Sequence, residues 1–122
     1  MKVRSVIPDI EVTDIEAARS FYQDFLGLGE EEFNLGWVAR FTEPESRAAV
    51  QVVTEDETGP ANPVLSLKVD DIDAAYAEAK ASGFDIVRPL TGEGWGVTRF
   101  FVRDPDGNII NITAHRVTED GE

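Results

Sequence analysis

The chain has 122 residues, no cysteine and a formal net charge of −13, from 24 acidic and 11 basic residues. This length predicts one domain with a hydrophobic core, and the lack of cysteine excludes disulfides, thiolate metal ligands and thiol nucleophiles. The charge disfavours nucleic acid and anionic membranes as partners and favours a cationic ligand, although solubility alone accounts for such a charge. No apolar run reaches membrane-spanning length and no secretory signal opens the chain, so we expect a cytoplasmic protein.

In the first half of the chain, alternating apolar residues at 5–12 predict a strand. Asp14 suits the N-cap of a helix over residues 15–26, which Gly27 and Gly29 end. Three short strands are predicted to follow at residues 30–33, 36–42 and 48–54. Helical spacing predicts that one face of the helix is buried, and that face consists of Ile15, Ala18, Phe21, Phe25 and Leu26.

The second half repeats this order after a polar linker at about 55–63. A strand at 64–69 precedes a helix that Asp71 caps and Ser82-Gly83 ends. Strands at 86–87, 97–103 and 108–113 follow, and Asp104-Pro105-Asp106-Gly107 is a strong turn signal between the last two. We expect the tail at 118–122 to be frayed.

The chain also repeats a motif. Val12-Thr13-Asp14-Ile15-Glu16-Ala17-Ala18 returns 57 residues later as Val69-Asp70-Asp71-Ile72-Asp73-Ala74-Ala75, with five of the seven positions identical. A period near half the chain length indicates one supersecondary unit used twice. The sequence therefore predicts an α+β fold of two tandem βαβββ modules, at about 3–57 and 64–116, within a single domain over residues 1–122.

Two modules that each open their helix with V-x-D-I-x-x-A resemble the vicinal oxygen chelate superfamily of glyoxalase I, bleomycin-resistance proteins and extradiol dioxygenases. The most specific segments are Phe21-Tyr22-Gln23-Asp24-Phe25-Leu26-Gly27-Leu28 and Phe100-Phe101-Val102-Arg103-Asp104-Pro105-Asp106-Gly107-Asn108. The resemblance implies that both modules form one curved mixed sheet around a cleft, with the helices on the convex side.

Two details are similar to the bleomycin-resistance branch, namely Ser5-Val6-Ile7-Pro8 in the first strand and Trp95-Gly96 before the Phe100 strand. That resemblance implies an acidic, metal-free homodimer that sequesters a large cationic ligand in grooves at its interface.

Metal-dependent members of the superfamily place His, Gln or Glu at matching points of the two modules. By motif, those positions fall on Ile7, Val64, Asn111 and a point near Gln51. Two aliphatic side chains and two amides do not supply the donors that a divalent ion needs. The only histidine, His115, lies at the end of the last strand, where we expect it to be exposed. We therefore expect no metal and no other cofactor. The alternative is a hard cation held by Asp9, Glu11 and Asn111, which is disfavoured because the first two lie about 6–7 Å apart along their strand.

Without metal or a nucleophile constellation, the residues favour binding over catalysis, and we predict no catalytic residues. The candidate ligand-binding residues are aromatic and polar side chains of the kind that furnish small-molecule sites: Phe33, Trp37, Gln51, Ser66, Trp95, Arg99, Phe101 and Asn111. For each aromatic residue, burial in the core or a dimer contact is the alternative. Arg40, Arg99, Arg103 and Lys68 add a second alternative, because a cleft-facing cation favours an anionic ligand unless an acid pairs with it.

The function predicted from the sequence is metal-independent sequestration of an antibiotic-like or other aromatic ligand, cationic or not, in a groove at the interface of a homodimer. The alternative is an enzyme of the same superfamily, a lyase, isomerase or dioxygenase with an unconventional site. A non-catalytic carrier of a biosynthetic cluster is a third hypothesis.

Overall fold

The structure, a computed structural model, describes residues 1–115, so the predicted frayed tail lies outside the described residues. The strands, in chain order, are β1 (Val3–Glu11), β2 (Glu30–Asn34), β3 (Val38–Thr42), β4 (Ala49–Val53), β5 (Leu65–Val69), β6 (Ile86–Gly92), β7 (Val97–Arg103) and β8 (Ile109–His115). The helices are α1 (Ile15–Arg19), which continues into a π-helical segment (Ser20–Phe25), and α2 (Ile72–Ala81).

The chain divides into two compact units. The N-terminal unit is Ile7–Asn62, and the C-terminal unit consists of Met1–Val6 together with the chain from Pro63 onward. Strand β1 contributes its first residues to the C-terminal unit and its last residues to the N-terminal unit. Each unit carries the βαβββ order of elements predicted from the repeat, and the α+β class is confirmed.

In the N-terminal unit the strands follow the order β2-β3-β4-β1, with β1 parallel to β4 and the other pairs antiparallel. The Asp14 carboxylate caps α1 by accepting a hydrogen bond from the Glu16 amide at 3.1 Å. The core lies between this helix and one face of the sheet, and its buried members are Ile15, Ala39, Phe41 and Val52.

The C-terminal unit repeats this layout in the strand order β5-β8-β7-β6, with β5 parallel to β8. The Asp71 carboxylate caps α2 by accepting from the Ala74 amide at 3.0 Å. Gly83 ends the helix region in the left-handed conformation, at φ +78°, which glycine adopts without strain. The buried core between α2 and the sheet consists of Val69, Ile72, Ala75, Ala79, Phe100, Ile112 and Ala114.

The predicted buried face of the first helix is wrong beyond Ala18. Phe21, Phe25 and Leu26 are 51%, 74% and 47% exposed, whereas Tyr22 and Leu28 pack on the core. The reason is the π-helical segment, in which the Leu26 amide donates to the Phe21 carbonyl at 2.9 Å. This i→i+5 spacing shifts the residues out of the 3.6-residue period on which the prediction depended.

Other predicted boundaries differ by a few residues. Strand β6 continues to Gly92 instead of ending at 87, with register shifts along its pairing with β7. Strand β5 begins at Leu65, so Val64 precedes it and is 44% exposed. No helix within residues 1–115 combines the length and the apolar character needed to cross a membrane.

Candidate functional site

Each unit presents one sheet face to its helix and the other away from it. In the N-terminal unit the second face carries Asp9, Gln51 and Arg40, because their strand neighbours Ala39, Phe41 and Val52 pack in the core and side chains alternate along a strand. The pairing register aligns a row across the four strands, which we call the N-terminal row: Asp9, Gln51, Arg40 and Phe33.

The N-terminal row is joined by hydrogen bonds. Arg40 donates to Gln51 Oε1 from Nε at 2.9 Å and from Nη2 at 2.7 Å, and Gln51 Nε2 donates to Asp9 Oδ1 at 2.6 Å. The Arg40 guanidinium lies 4.9 Å from the centre of the Phe33 ring, within cation–π range. Burial lowers the pKa of Arg40 below its ordinary value, against the opposing effects of Glu32 and Asp9.

The C-terminal unit aligns an equivalent row, the C-terminal row, in the same strand order: Ser66, Asn111, Phe101 and Arg88. Asn111 Nδ2 donates to Ser66 Oγ at 3.0 Å. Asn111 Oδ1 is buried and has no hydrogen-bond partner among the residues that the structure describes. An unsatisfied buried acceptor is rare in native structures, and Asn111 Oδ1 is therefore available to accept a hydrogen bond. Phe101 is completely buried beside it.

The β6–β7 turn adds a buried ion cluster to this unit. The Glu93 carboxylate accepts from Arg99 Nε at 2.7 Å and pairs with Arg88 Nη2 at 3.0 Å. The side chains of Glu93 and Arg99 are only 4% and 3% exposed. The Arg99 guanidinium lies 5.2 Å from the Trp95 ring centre and 4.7 Å from that of Phe101. Trp95, on the turn between β6 and β7, therefore lies over the guanidinium of a buried ion pair.

The residues at the family's metal positions do not fit a metal ion. Ile7 and Val64 offer no lone pairs, and Gln51 Oε1 already accepts two hydrogen bonds from a guanidinium, whose positive charge repels a cation. Asn111 Oδ1 is a single neutral donor atom, weaker than the carboxylates and imidazoles that hold such ions. Within residues 1–115, moreover, no three His, Cys, Asp or Glu side chains cluster closely enough to hold an ion.

Comparison with known proteins decides the family. The model of the glyoxalase/bleomycin resistance protein/dioxygenase superfamily matches residues 7–112. The chain belongs to this superfamily. It is 29% identical over 128 aligned residues to a lactoylglutathione lyase of Haemophilus influenzae, with 92% of this chain and 93% of that protein covered.

Solved structures of superfamily members show the same fold at lower identity. A superfamily member from Vibrio splendidus 12B01 matches with a TM-score of 0.67 at 21% identity, covering 93% of this chain and 99% of that one. Methylmalonyl-CoA epimerase from Mycobacterium tuberculosis matches with a TM-score of 0.71 at 24% identity, covering 93% of this chain and 89% of that one.

Within the units, the structure brings several of the predicted site residues together. Phe33 and Gln51 both contact Arg40. Ser66, Asn111 and Phe101 occupy adjacent strand positions. Their roles in ligand binding stay predictions.

Two further predictions concern aromatic and histidine positions. Trp37 precedes β3, and its carbonyl accepts from the Thr54 amide at 2.9 Å. Phe100 packs on Tyr76 of α2 with ring centres 5.0 Å apart, so Phe101 is the member of the pair on the opposite face, as the alternation required. His115 is exposed at the end of β8, as predicted.

Three features were missed by the sequence prediction. Asp9 and Arg40 lie in the same row as Gln51 and form hydrogen bonds with it. Strand alternation together with the strand pairing order would have indicated that these three side chains are neighbours. Glu93 lies between glycines in a turn, a pattern typical of an exposed acid, so only tertiary structure reveals its burial. A cavity of about 280 Å³ lies under α2, with Ala75, Phe84, Val102 and Ile110 among its lining residues.

Proposed function

We propose that this superfamily member is a metal-independent binding protein that sequesters an aromatic, antibiotic-like small molecule as a homodimer. One observation carries the proposal: the family's metal positions hold two aliphatic side chains, an amide engaged by Arg40 and an amide bonded to Ser66. In the N-terminal unit Phe33 lies against Arg40, and in the C-terminal unit Phe101 lies opposite Asn111 and Trp95 lies over Arg99. Aromatic and polar side chains together are typical of small-molecule sites.

Elemental analysis tests this proposal most directly. We expect purified protein to carry well below one equivalent of Zn, Ni, Mn or Fe per chain, and its melting temperature to be unchanged by a chelator. The same preparation is screened by thermal shift against aromatic natural products, since a ligand of the native state alone raises stability. A stoichiometric ion that chelation removes with a loss of stability would contradict the proposal.

Trp95 is the side chain whose removal should report on the ligand. Aromatic stacking contributes about 0.5–1.5 kcal/mol to binding beyond the buried area, and about 1.4 kcal/mol corresponds to a factor of ten in affinity. We therefore expect Trp95→Ala to weaken binding of a compound from the screen about tenfold. Phe84→Ala, at an exposed aromatic residue outside the candidate ligand-binding set, is the control. Unchanged affinity in Trp95→Ala would place the ligand elsewhere.

The homodimer has its own test. The exposed side chains of Phe21, Phe25 and Leu26 form an apolar surface that a second copy of the chain is able to cover. Light scattering at micromolar concentration should give about twice the 13.4 kDa chain mass, and Phe25→Glu should lower it to that of one chain. A wild-type monomer at high concentration would remove the dimer from the proposal.

The second candidate function is catalysis. The relative that is 29% identical over nearly its whole length is named a lactoylglutathione lyase. Formation of lactoylglutathione, measured with and without added Zn²⁺ or Ni²⁺, separates the two functions. Turnover far above the uncatalysed rate would favour the enzyme, and its absence under both conditions supports the binding protein.

A further inference from the structure

Arg40 uses only part of its hydrogen-bonding capacity. A guanidinium carries five N–H donors, and Gln51 Oε1 takes the Nε–H and one Nη2–H. The nearest carboxylate to Nη1 is that of Glu32, at 3.7 Å, which is too far for a hydrogen bond. Within the described residues, the Nη1–Nη2 edge of this guanidinium is therefore without hydrogen-bond partners.

Glu32 is held away from that edge by other partners. Its Oε2 accepts a hydrogen bond from Thr42 Oγ1 and pairs with Arg47 Nη2 at 3.2 Å. A carboxylate already shared between a hydroxyl and a second guanidinium gains little by turning to Arg40. In this structure the Nη1–Nη2 edge of Arg40, which we call its open edge, therefore has an ion-pair contact with Glu32 at 3.7 Å and no hydrogen bond among the described residues.

The guanidinium is also fixed in orientation. Gln51 Oε1 accepts hydrogen bonds from the Nε–Nη2 edge of the guanidinium. Asp9 accepts a hydrogen bond from the Gln51 amide, and the guanidinium lies over the Phe33 ring. A side chain that is already ordered loses little further entropy when it binds a ligand. Only 25% of the Arg40 side chain is exposed, and in partly desolvated surroundings a charge-assisted hydrogen bond is stronger than in water.

We infer that the open edge of Arg40 binds an oxygen acceptor of the ligand, by preference a carboxylate, while an aromatic group of the ligand lies along Phe33. This inference rests on the proposed function and specifies its ligand class. It also gives Gln51 a positioning role, since this amide orients a fixed organic cation at a point where relatives hold a metal ligand. The net charge of −13 does not decide the charge of the ligand at Arg40, because salt screens charges that lie farther away than about 8 Å.

The test uses three probes of one shape: benzoate, benzamide and benzylammonium. Each is titrated into ¹⁵N-labelled protein near pH 7, and the Arg40 Nε–H resonance is followed. We expect benzoate to move this resonance with a millimolar dissociation constant, benzamide to bind at least about tenfold more weakly, and benzylammonium to leave the resonance in place. Movement by benzylammonium equal to that by benzoate would overturn the inference.

Variants assign the effect to the guanidinium. Arg40→Met should weaken benzoate binding at least about tenfold, and Arg40→Lys, which keeps the charge but loses the fork, should fall between this variant and wild type. Arg19→Met is the matched control, because it removes an arginine of the same unit that is 25% exposed, like Arg40, but pairs with Glu16 and Glu31 instead of Glu32. Equal benzoate affinity in wild type and folded Arg40→Met would refute the inference.

A measurement on the wild-type protein covers the case in which Arg40→Met does not fold. Phenylglyoxal modifies accessible guanidinium groups, and mass spectrometry identifies the modified residue. Benzoate should protect Arg40 and leave Arg47 reactive, whereas equal labelling of Arg40 with and without benzoate contradicts the inference. Bound metal together with benzoate protection would refute the proposed function alone, while metal-free protein without protection would refute this inference alone.

Discussion

The N-terminal row and the C-terminal row occupy equivalent positions on the same strand arrangement, yet they carry different chemistry. Asp9 and Ser66 are related by the 57-residue repeat, and the strand register places Gln51 opposite the first and Asn111 opposite the second. The N-terminal row is charged, with hydrogen bonds from Arg40 through Gln51 to Asp9 and a cation–π contact to Phe33. The C-terminal row is neutral at its centre and keeps an unsatisfied amide oxygen.

The buried ion cluster of the C-terminal unit lies at the outer end of its row, where Arg88 meets the turn between β6 and β7. Glu93 compensates Arg88 and Arg99 there, while Phe101 takes the place that Arg40 has in the other unit. A repeated scaffold thus preserves where side chains point without preserving what they do.

The two helices differ in a second way that affects stability. Helix α2 is regular and buries Ile72, Ala75 and Ala79, while α1 gives way after five residues to the π-helical segment with its exposed phenylalanines. Apolar side chains near the helices therefore contribute unequally to the free energy of unfolding, and the largest predicted effect depends on this contrast.

Phe100→Ala should destabilise the protein by about 3–5 kcal/mol, since it removes a fully buried ring and leaves a cavity. Phe25→Ala, at a ring that is 74% exposed, should change the free energy of unfolding by no more than about 0.5 kcal/mol in the monomer. Urea titrations of both variants measure the difference. Both variants are measured at protein concentrations low enough to dissociate a dimer, and similar losses there would show that the Phe25 ring is buried within the single chain.

Glu93→Ala should cost about 3 kcal/mol, because truncating one partner of a buried pair leaves a buried charge uncompensated. Replacing Arg99 by Leu in the same chain should recover part of this loss, and the double-mutant cycle gives the coupling energy. Glu30→Ala removes an exposed partner of Arg47 in the N-terminal unit and should cause no resolvable change. A Glu93→Ala loss that the second substitution leaves unchanged would rule out a buried charge as its cause.

Asp71→Ala should destabilise by about 1 kcal/mol through loss of the N-cap hydrogen bond to Ala74. Asp14→Ala removes the equivalent cap of α1, and we expect a smaller loss because α1 continues for only five residues before the π-helical segment. Chemical denaturation and helical circular dichroism measure both variants. A larger loss in Asp14→Ala would reverse the order of importance that we assign to the two helices.

Much of the fold followed from the sequence because its signals were local and used twice. The caps at Asp14 and Asp71, the period-2 strands and the Asp104–Gly107 turn signal each specify an element within a few residues. The π-helical segment was missed because an apolar pattern read at 3.6 residues per turn does not register a change of hydrogen-bond spacing.

The candidate site was predictable to a smaller extent. The residue types at Gln51 and Asn111 follow from the motif, but their partners come from other strands. Whether Arg40 pairs with an acid or holds an amide depends on which side chains the register places beside it, and whether Glu93 is exposed depends on how its turn folds back. Such partner choices over long sequence separations leave no local pattern.

The smallest expected effect tests a position at which the repeat itself differs, since Thr13 of the first module corresponds to Asp70 of the second. Arg4 donates to both Asp70 carboxylate oxygens, at 2.7 and 2.8 Å, and this hydrogen bonding lowers the pKa of Asp70 below its ordinary value. Because the folded pKa lies below the unfolded one, the pair stabilises the protein above the ordinary pKa of aspartate. This stabilisation is lost as the pH falls through the folded pKa.

Arg4→Met should therefore lower the melting temperature slightly at pH 7 and should match wild type at the lowest pH at which the protein stays folded. The difference between the two melting profiles isolates Asp70, since the other carboxylates titrate in both proteins. High salt should shrink the difference, because both partners are exposed. Asp70→Asn should give the same profile as Arg4→Met, and a difference that grows toward low pH would contradict the assigned sign.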